Sequence, residues 1–240
     1  MSSAAEVATT SAAPTMVSQA DVDVFARHVL VASLAGLLAS LGSMALLPGW
    51  VGATVAVGQG ALVCLRMLHK RRSRWLANLV VAGLTAGVVE LVADHWLVHG
   101  TRTLLYPEGP SVAASPIYMP FAWLGMLCAG LALGLVLRRR GASLASATGC
   151  VVLMLGGYIP LFEAIADRAG WWVYRDCPRL LDTVPHYIVL GEILLAAPLV
   201  WLGERLRTAG ALGAVMLGAV QGAWIFASYA LAHALVGGSA

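Results

Sequence analysis

"WLANLVVAGLTAGVVELVADHWLVH" (residues 75–99) is apolar at almost every position, and its acidic side chains are Glu90 and Asp94. A membrane-spanning helix needs about 20 such residues in succession. The stretch is therefore a transmembrane helix, and the rest of the fold is read outward from it. The whole chain agrees. Of its 240 residues 60% are hydrophobic and 11% are charged, with a mean hydropathy of +0.82. A soluble domain carries roughly a quarter charged residues. The class is an all-α integral membrane bundle.

Further apolar stretches predict seven transmembrane helices, at about 24–47, 50–69, 75–99, 117–137, 143–168, 185–204 and 209–236. They form one domain over residues 23–240. Residues 1–22 are mostly small and polar, and are expected to be a disordered cytoplasmic tail. Three basic clusters lie in loops on one side of the bundle: "HKRRSR" (69–74), "RRR" (138–140) and "ERLR" (204–207). The excess of Lys and Arg in cytoplasmic loops then predicts an N-terminus inside and a C-terminus outside. The expected location is the plasma or inner membrane. The net charge of +3 is spread over these clusters, and no basic run is long enough for nucleic acid. The four cysteines form no CxxC pair.

"ELVAD" (90–94) is echoed by "EAIAD" (163–167). Each echo is followed by a proline-bearing loop and then by P-x-Y at the start of the next helix, "SPIYMP" (115–120) and "VPHYIV" (184–189). The pattern predicts a parallel repeat of two helical hairpins, which is one way membrane folds build a site at a repeat interface.

Residues four apart share a helix face, so Glu90 pairs with Asp94 and Glu163 with Asp167. Glu192 follows on the sixth span. An ionised carboxylate near the bilayer centre costs roughly 3 kcal/mol on insertion scales. Such groups are retained where they line a cavity or stay neutral, and a neutral carboxyl can act as a general acid. Glu90 and Glu163 are the expected central acids, with Asp94, Asp167 and Glu192 tuning them or serving as base. Trp96, Tyr118, Trp123, Trp172 and Tyr187 lie toward the same end and are expected to line the pocket, where ring faces stabilise a cation. His95 and His99 are spaced like metal ligands but lie over 90° around the helix from Glu90. Neither a metal nor any other cofactor is expected.

Glu90, Gly100, Tyr106 and "PIYMPFAW" (116–123) together resemble the first signature of membrane carotenoid-biosynthesis proteins of the bisanhydrobacterioruberin, or carotenoid hydratase, type. "EAIADRAGWWVY" (163–174) followed by "VPHYIVLGE" (184–192) resembles their second signature. The likeness covers roughly residues 85–200. Glu163 stands where that pattern prefers Asp, and Arg168 where it prefers Pro. The acid-bearing membrane bundle is also similar, more weakly, to the seven-helix terpene cyclases. Those carry an acid in the last span, where this chain has Gln221, Trp224, Tyr229 and His233. Both resemblances imply one chemistry: a protonated carboxyl attacks a double bond or epoxide of a lipid-soluble isoprenoid, and hydration or cyclisation follows. The partners expected are that isoprenoid and membrane lipid. The alternative is a small proton-coupled carrier with a carboxylate relay. It would need polar residues continuing through the inner half of the bundle.

Overall fold

The computed structural model describes residues 19–71 and 73–237. Residues 1–18 of the expected tail lie outside that range, and from Gln19 onward the chain is already helical. Eight α-helices follow: α1 (Gln19–Leu46), α2 (Trp50–Arg71), α3 (Arg74–His95), α4 (Met119–Arg139), α5 (Leu144–Arg168), α6 (His186–Ala196), α7 (Leu199–Leu206) and α8 (Ala211–Val236). The sixth span is α6 and α7 together, interrupted at Ala197 and Pro198. Proline offers no N–H and clashes with the preceding turn, so the break falls there.

Seven segments are long and apolar enough to cross a membrane, within a few residues of the expected bounds. Large apolar side chains such as Leu46, Leu62, Leu153 and Leu212 are more than 60% exposed on the perimeter. That is the pattern of a multi-pass membrane bundle, whose outer surface is solvated by lipid. Arg138 pairs with Glu204 at 2.6 Å, and Arg139 with Asp23 at 2.7 Å, on the face that carries the basic loops.

Lipid gives apolar helices little reason to associate, so close packing of small residues must hold them together. The broadest contact in the bundle is α3 against α8. A Cβ on Gly218 of α8 would stand 2.4 Å from the Ala82 carbonyl oxygen and 2.8 Å from its Cα. Those neighbours are backbone and cannot rotate away. Gly218→Leu is expected to cost about 2–3 kcal/mol through overpacking and to lower the melting temperature in detergent. Gly149→Leu, with nothing within 4 Å of its would-be Cβ, should leave it almost unchanged.

On the face opposite the basic loops, two similar caps close the bundle. After α3 come a π-helical turn (Trp96–Thr101), β1 (Leu104–Leu105) and a hairpin of β2 (Ser111–Val112) with β3 (Ser115–Pro116), leading into α4. After α5 come β4 (Val173–Tyr174) and a hairpin of β5 (Arg179–Leu180) with β6 (Val184–Pro185), leading into α6. Both hairpin turns hold two successive residues at positive φ, Ala113 and Ala114 in one and Leu181 and Asp182 in the other. β1 and β4 pair antiparallel, Leu104 with Tyr174 and Leu105 with Val173. This is the pairing that two copies related by a two-fold axis make.

The caps also correct the register of the echo. Pro116 ends β3 and Pro185 ends β6. Twenty-two residues separate Asp94 from Pro116, and 22 separate Glu163 from Pro185. Asp94 therefore corresponds to Glu163, not to Asp167. The identical letters "E…AD" are displaced by about one helical turn between the copies, and the displacement is already there at the helix starts: Glu90 stands 17 residues after the N-cap Ser73, and Glu163 stands 20 after the N-cap Ser143.

Candidate functional site

Four carboxyl side chains meet in one cavity of about 450 Å³: Glu90 and Asp94 from α3, Glu163 from α5 and Glu192 from α6. None is more than 5% exposed. Buried charges and dipoles are kept only with partners, and three of the four acids have a dedicated donor. Asp94 Oδ2 accepts from the Tyr106 hydroxyl at 2.8 Å and from the Ser115 hydroxyl. Glu163 Oε2 accepts from the Trp172 indole N–H at 2.6 Å, with Tyr174 beside it. Glu192 Oε1 accepts from the Tyr229 hydroxyl at 2.7 Å.

Two oxygens remain. Glu90 Oε2 and Glu192 Oε2 are buried without a hydrogen-bond partner among the described residues. Glu90 lies against Asp94 and Trp123. An indole N–H only donates, so Trp172 holds Glu163 as an acceptor. The two unpartnered oxygens are sealed from the cavity space, while the Glu90 and Glu192 side chains line it.

Burial, reinforced by the Asp94 carboxyl, pushes the Tyr106 phenol well above its usual range. Burial, reinforced by Glu163, does the same for Tyr174. Both therefore keep their protons and act as donors.

The rest of the wall is aromatic near the acids and mostly apolar away from them, with Ser33 and Gln59 among the lining side chains. Phe162 and Trp172 pack with ring centroids 5.9 Å apart, Tyr106 and Trp172 at 6.2 Å, and Trp123 and Tyr229 at 6.5 Å. On α1 the lining runs from Ser40 to Val29, roughly 16 Å at the helical rise. The deep end holds Val29, Cys64, Cys128 and Leu155. Leu30 and Leu34 also line the cavity, yet they are 72% and 57% exposed on the perimeter. The cavity is thus long, apolar and continuous with the lipid-facing surface.

Four of the five expected acids are in the cavity, and so are Trp123 and Trp172. The other expected residues stand elsewhere. Asp167 is half-buried and outside the cavity, as the one-turn displacement requires. Trp96 packs between Phe226 and His233 at 5.7 and 5.5 Å. Tyr187 is fully buried, bonds Thr103 at 2.8 Å, and supports Tyr174 from behind at 6.3 Å. Tyr118 lines a neighbouring pocket. The four donors Tyr106, Ser115, Tyr174 and Tyr229 were not among the expected site residues. Tyr174 closes "GWWVY" and Ser115 opens "SPIYMP", so two sat inside quoted motifs, but nothing local tied them to a particular acid. His95 and His99 are exposed, with ring centroids 4.6 Å apart. Among the described residues no three His, Cys, Asp or Glu side chains gather as metal ligands do.

A family described as Domain of unknown function (DUF6989) matches residues 91–236. The match contains Asp94, Glu163 and Glu192 and begins one residue after Glu90. No curated protein and no solved structure matches the chain.

Proposed function

We propose that this chain, which belongs to the DUF6989 family, is an isoprenoid enzyme that works by carboxylic acid–base chemistry inside the membrane. The observation that carries the reading is the cluster of four buried carboxyl residues, Glu90, Asp94, Glu163 and Glu192, lining an aromatic-walled cavity that reaches the lipid-facing perimeter. A soluble polar substrate has no use for a 16 Å aliphatic extension, whereas an apolar chain fills it and leaves its reactive group among the acids.

In this mechanism protonated Glu90 transfers its proton to an alkene carbon or epoxide oxygen. The cation that forms is met by the Trp123 and Trp172 ring faces and by the Glu163 carboxylate. Ring faces attract cations by about 0.5–2 kcal/mol, more when water is excluded. Glu192 then accepts a proton. It takes it from a water that adds to the cation, giving a hydrated product, or from a neighbouring carbon after ring closure, giving a cyclic isomer. Proton return from Glu192 to Glu90 resets the site, so no cofactor enters the balance.

A carrier would continue the polar path inward. Asn78, deep in α3, instead donates to the Leu206 and Ala209 carbonyls at 3.2 and 2.8 Å, and no ionisable carboxyl lines the deep end, where Val29, Cys64, Cys128 and Leu155 stand. This favours a one-sided catalytic pocket. With the basic loops in the cytoplasm, the acids face the outer leaflet and the C-terminus lies outside.

The test is mass spectrometry of lipid extracts from carotenoid- and terpene-producing hosts with and without the chain. A new isoprenoid heavier by one water supports hydration, and an isomer of unchanged mass supports cyclisation. Unchanged extracts across linear, cyclic and epoxidised isoprenoid hosts would refute the reading.

A further inference from the structure

Polar side chains inside a membrane bundle commonly bond across to a neighbouring helix. Two amides of this chain do so. Asn78 on α3 reaches the Leu206 and Ala209 carbonyls, and Gln221 on α8 reaches the Leu195 carbonyl at 3.2 Å. Gln59 on α2 does not. It is half-buried in the wall of the acid cavity. Its amide nitrogen bonds to the Ala56 carbonyl of its own helix, at 3.3 Å. Its carbonyl oxygen has no partner among the described residues and, unlike Glu90 Oε2 and Glu192 Oε2, is not sealed.

The fold gives this amide space and company. A Cβ on Gly36 of α1 would stand 2.6 Å from the Gln59 nitrogen, so a glycine there lets it lie against α1. Tyr158 of α5 also lines the cavity and is 38% exposed, and its hydroxyl has no partner among the described residues. Gln59 is nine residues from the outer end of α2, and Tyr158 is ten from that of α5. The two stand at about the same depth. Tyr158 is five residues before Glu163, which places this level roughly 8 Å below the acids at the helical rise.

A polar group kept in an apolar wall costs free energy unless something bonds to it. The Gln59 oxygen accepts, and the Tyr158 hydroxyl donates or accepts. A ligand hydroxyl can donate to the one and accept from the other, whereas a hydrocarbon answers neither. An isoprenoid chain also repeats its double bond in every unit, so the acids alone cannot choose among them. A hydroxyl fixed at a set distance makes that choice.

We propose that Gln59, with Tyr158, binds a second polar group of the substrate, and that the substrate is an isoprenoid alcohol whose hydroxyl stands roughly 8 Å from the reacting group. Gln59 is then the specificity-determining residue that sets the register of the chain. This rests on the acid–base reading above, and it is tested by binding, without turnover.

The experiment is native mass spectrometry of the full chain in detergent, titrated with farnesol and, separately, with the hydrocarbon farnesene. Farnesol is expected to bind roughly tenfold more tightly, the worth of one good hydrogen bond. In Gln59→Met, which keeps the size and removes the amide, the preference is expected to fall to within about twofold, with farnesene binding unchanged. Tyr158→Phe is expected to lower it by a smaller factor. Absence of the preference in the unaltered chain, or failure of farnesol to bind, would overturn the proposal. A preference that survives Gln59→Met would place the hydroxyl elsewhere and overturn it equally. Where Gln59→Met loses farnesene binding as well, Tyr158→Phe decides, and an undiminished preference there overturns the subsite. Failure of the isoprenoid reading would appear instead as unaltered lipid extracts with the binding preference still present.

Discussion

Glu90→Gln lowers turnover by about 10²–10⁴-fold, the contribution of a positioned general acid, and leaves the protein folded. The amide matches the carboxyl in size, so packing against Trp123 is kept, while the transferable proton is lost. The position of Glu90 is the reason to expect so large an effect: it is buried, lines the cavity, and has no hydroxyl donor of the kind that holds Asp94 and Glu192. The check is product formation in the responsive host, with melting temperature and detergent-stable yield measured in parallel. Full activity from Glu90→Gln would remove Glu90 from the chemistry. Asp94→Asn should fall less, because Asp94 is already engaged by Tyr106 and Ser115 and acts on Glu90 rather than on substrate.

The second large effect is a contrast between two acids on one helix. Glu163→Gln is expected to reduce turnover by about 10²-fold or more, since a fixed group that stabilises transition-state charge in a water-excluded site is worth about 2.7–4 kcal/mol. Asp167→Asn, four residues on, should change turnover less than about twofold, within the usual ±0.5 kcal/mol of a substitution away from such features. The contrast depends on the caps. Glu163 sits under Trp172 in the cavity, and Asp167 sits one turn beyond it. Equal losses in both variants would mean that the two acids act as a pair and that the cavity is differently bounded. Trp172→Phe separates the cause further, because it removes the indole donor and keeps an aromatic wall. Its loss should be smaller than that of Glu163→Gln.

The spans were legible because a helix in lipid must satisfy every backbone group internally and present apolar side chains outward. Length and composition suffice to read that, and they placed all seven segments. The acids on α3, α5 and α6 were legible for the same reason, since a carboxyl in such a segment is conspicuous. Which acids face one another was less so. In the linear chain "ELVAD" and "EAIAD" share their Glu, Ala and Asp, and that alignment pairs Asp94 with Asp167. In three dimensions the helix starts, the β1–β4 pairing and the two hairpins set the correspondence, and the echoed letters stand about one helical turn out of step with it.

Hydropathy and charge pattern thus dictated the bundle and the presence of acids within it, because transfer into lipid acts on each segment independently. Long-range contacts settled the site. Tyr106, Ser115, Tyr174 and Tyr229 become donors to particular carboxyls only once the caps fold over the helix ends and α8 packs against α6. Trp96 and Tyr187, equally plausible in the sequence, are turned to support instead. A hydrogen bond depends on distances of a few tenths of an ångström between groups that stand far apart in the chain, 37 residues for Tyr229 and Glu192 and 84 for Thr103 and Tyr187. Composition and spacing along a chain carry no record of that distance.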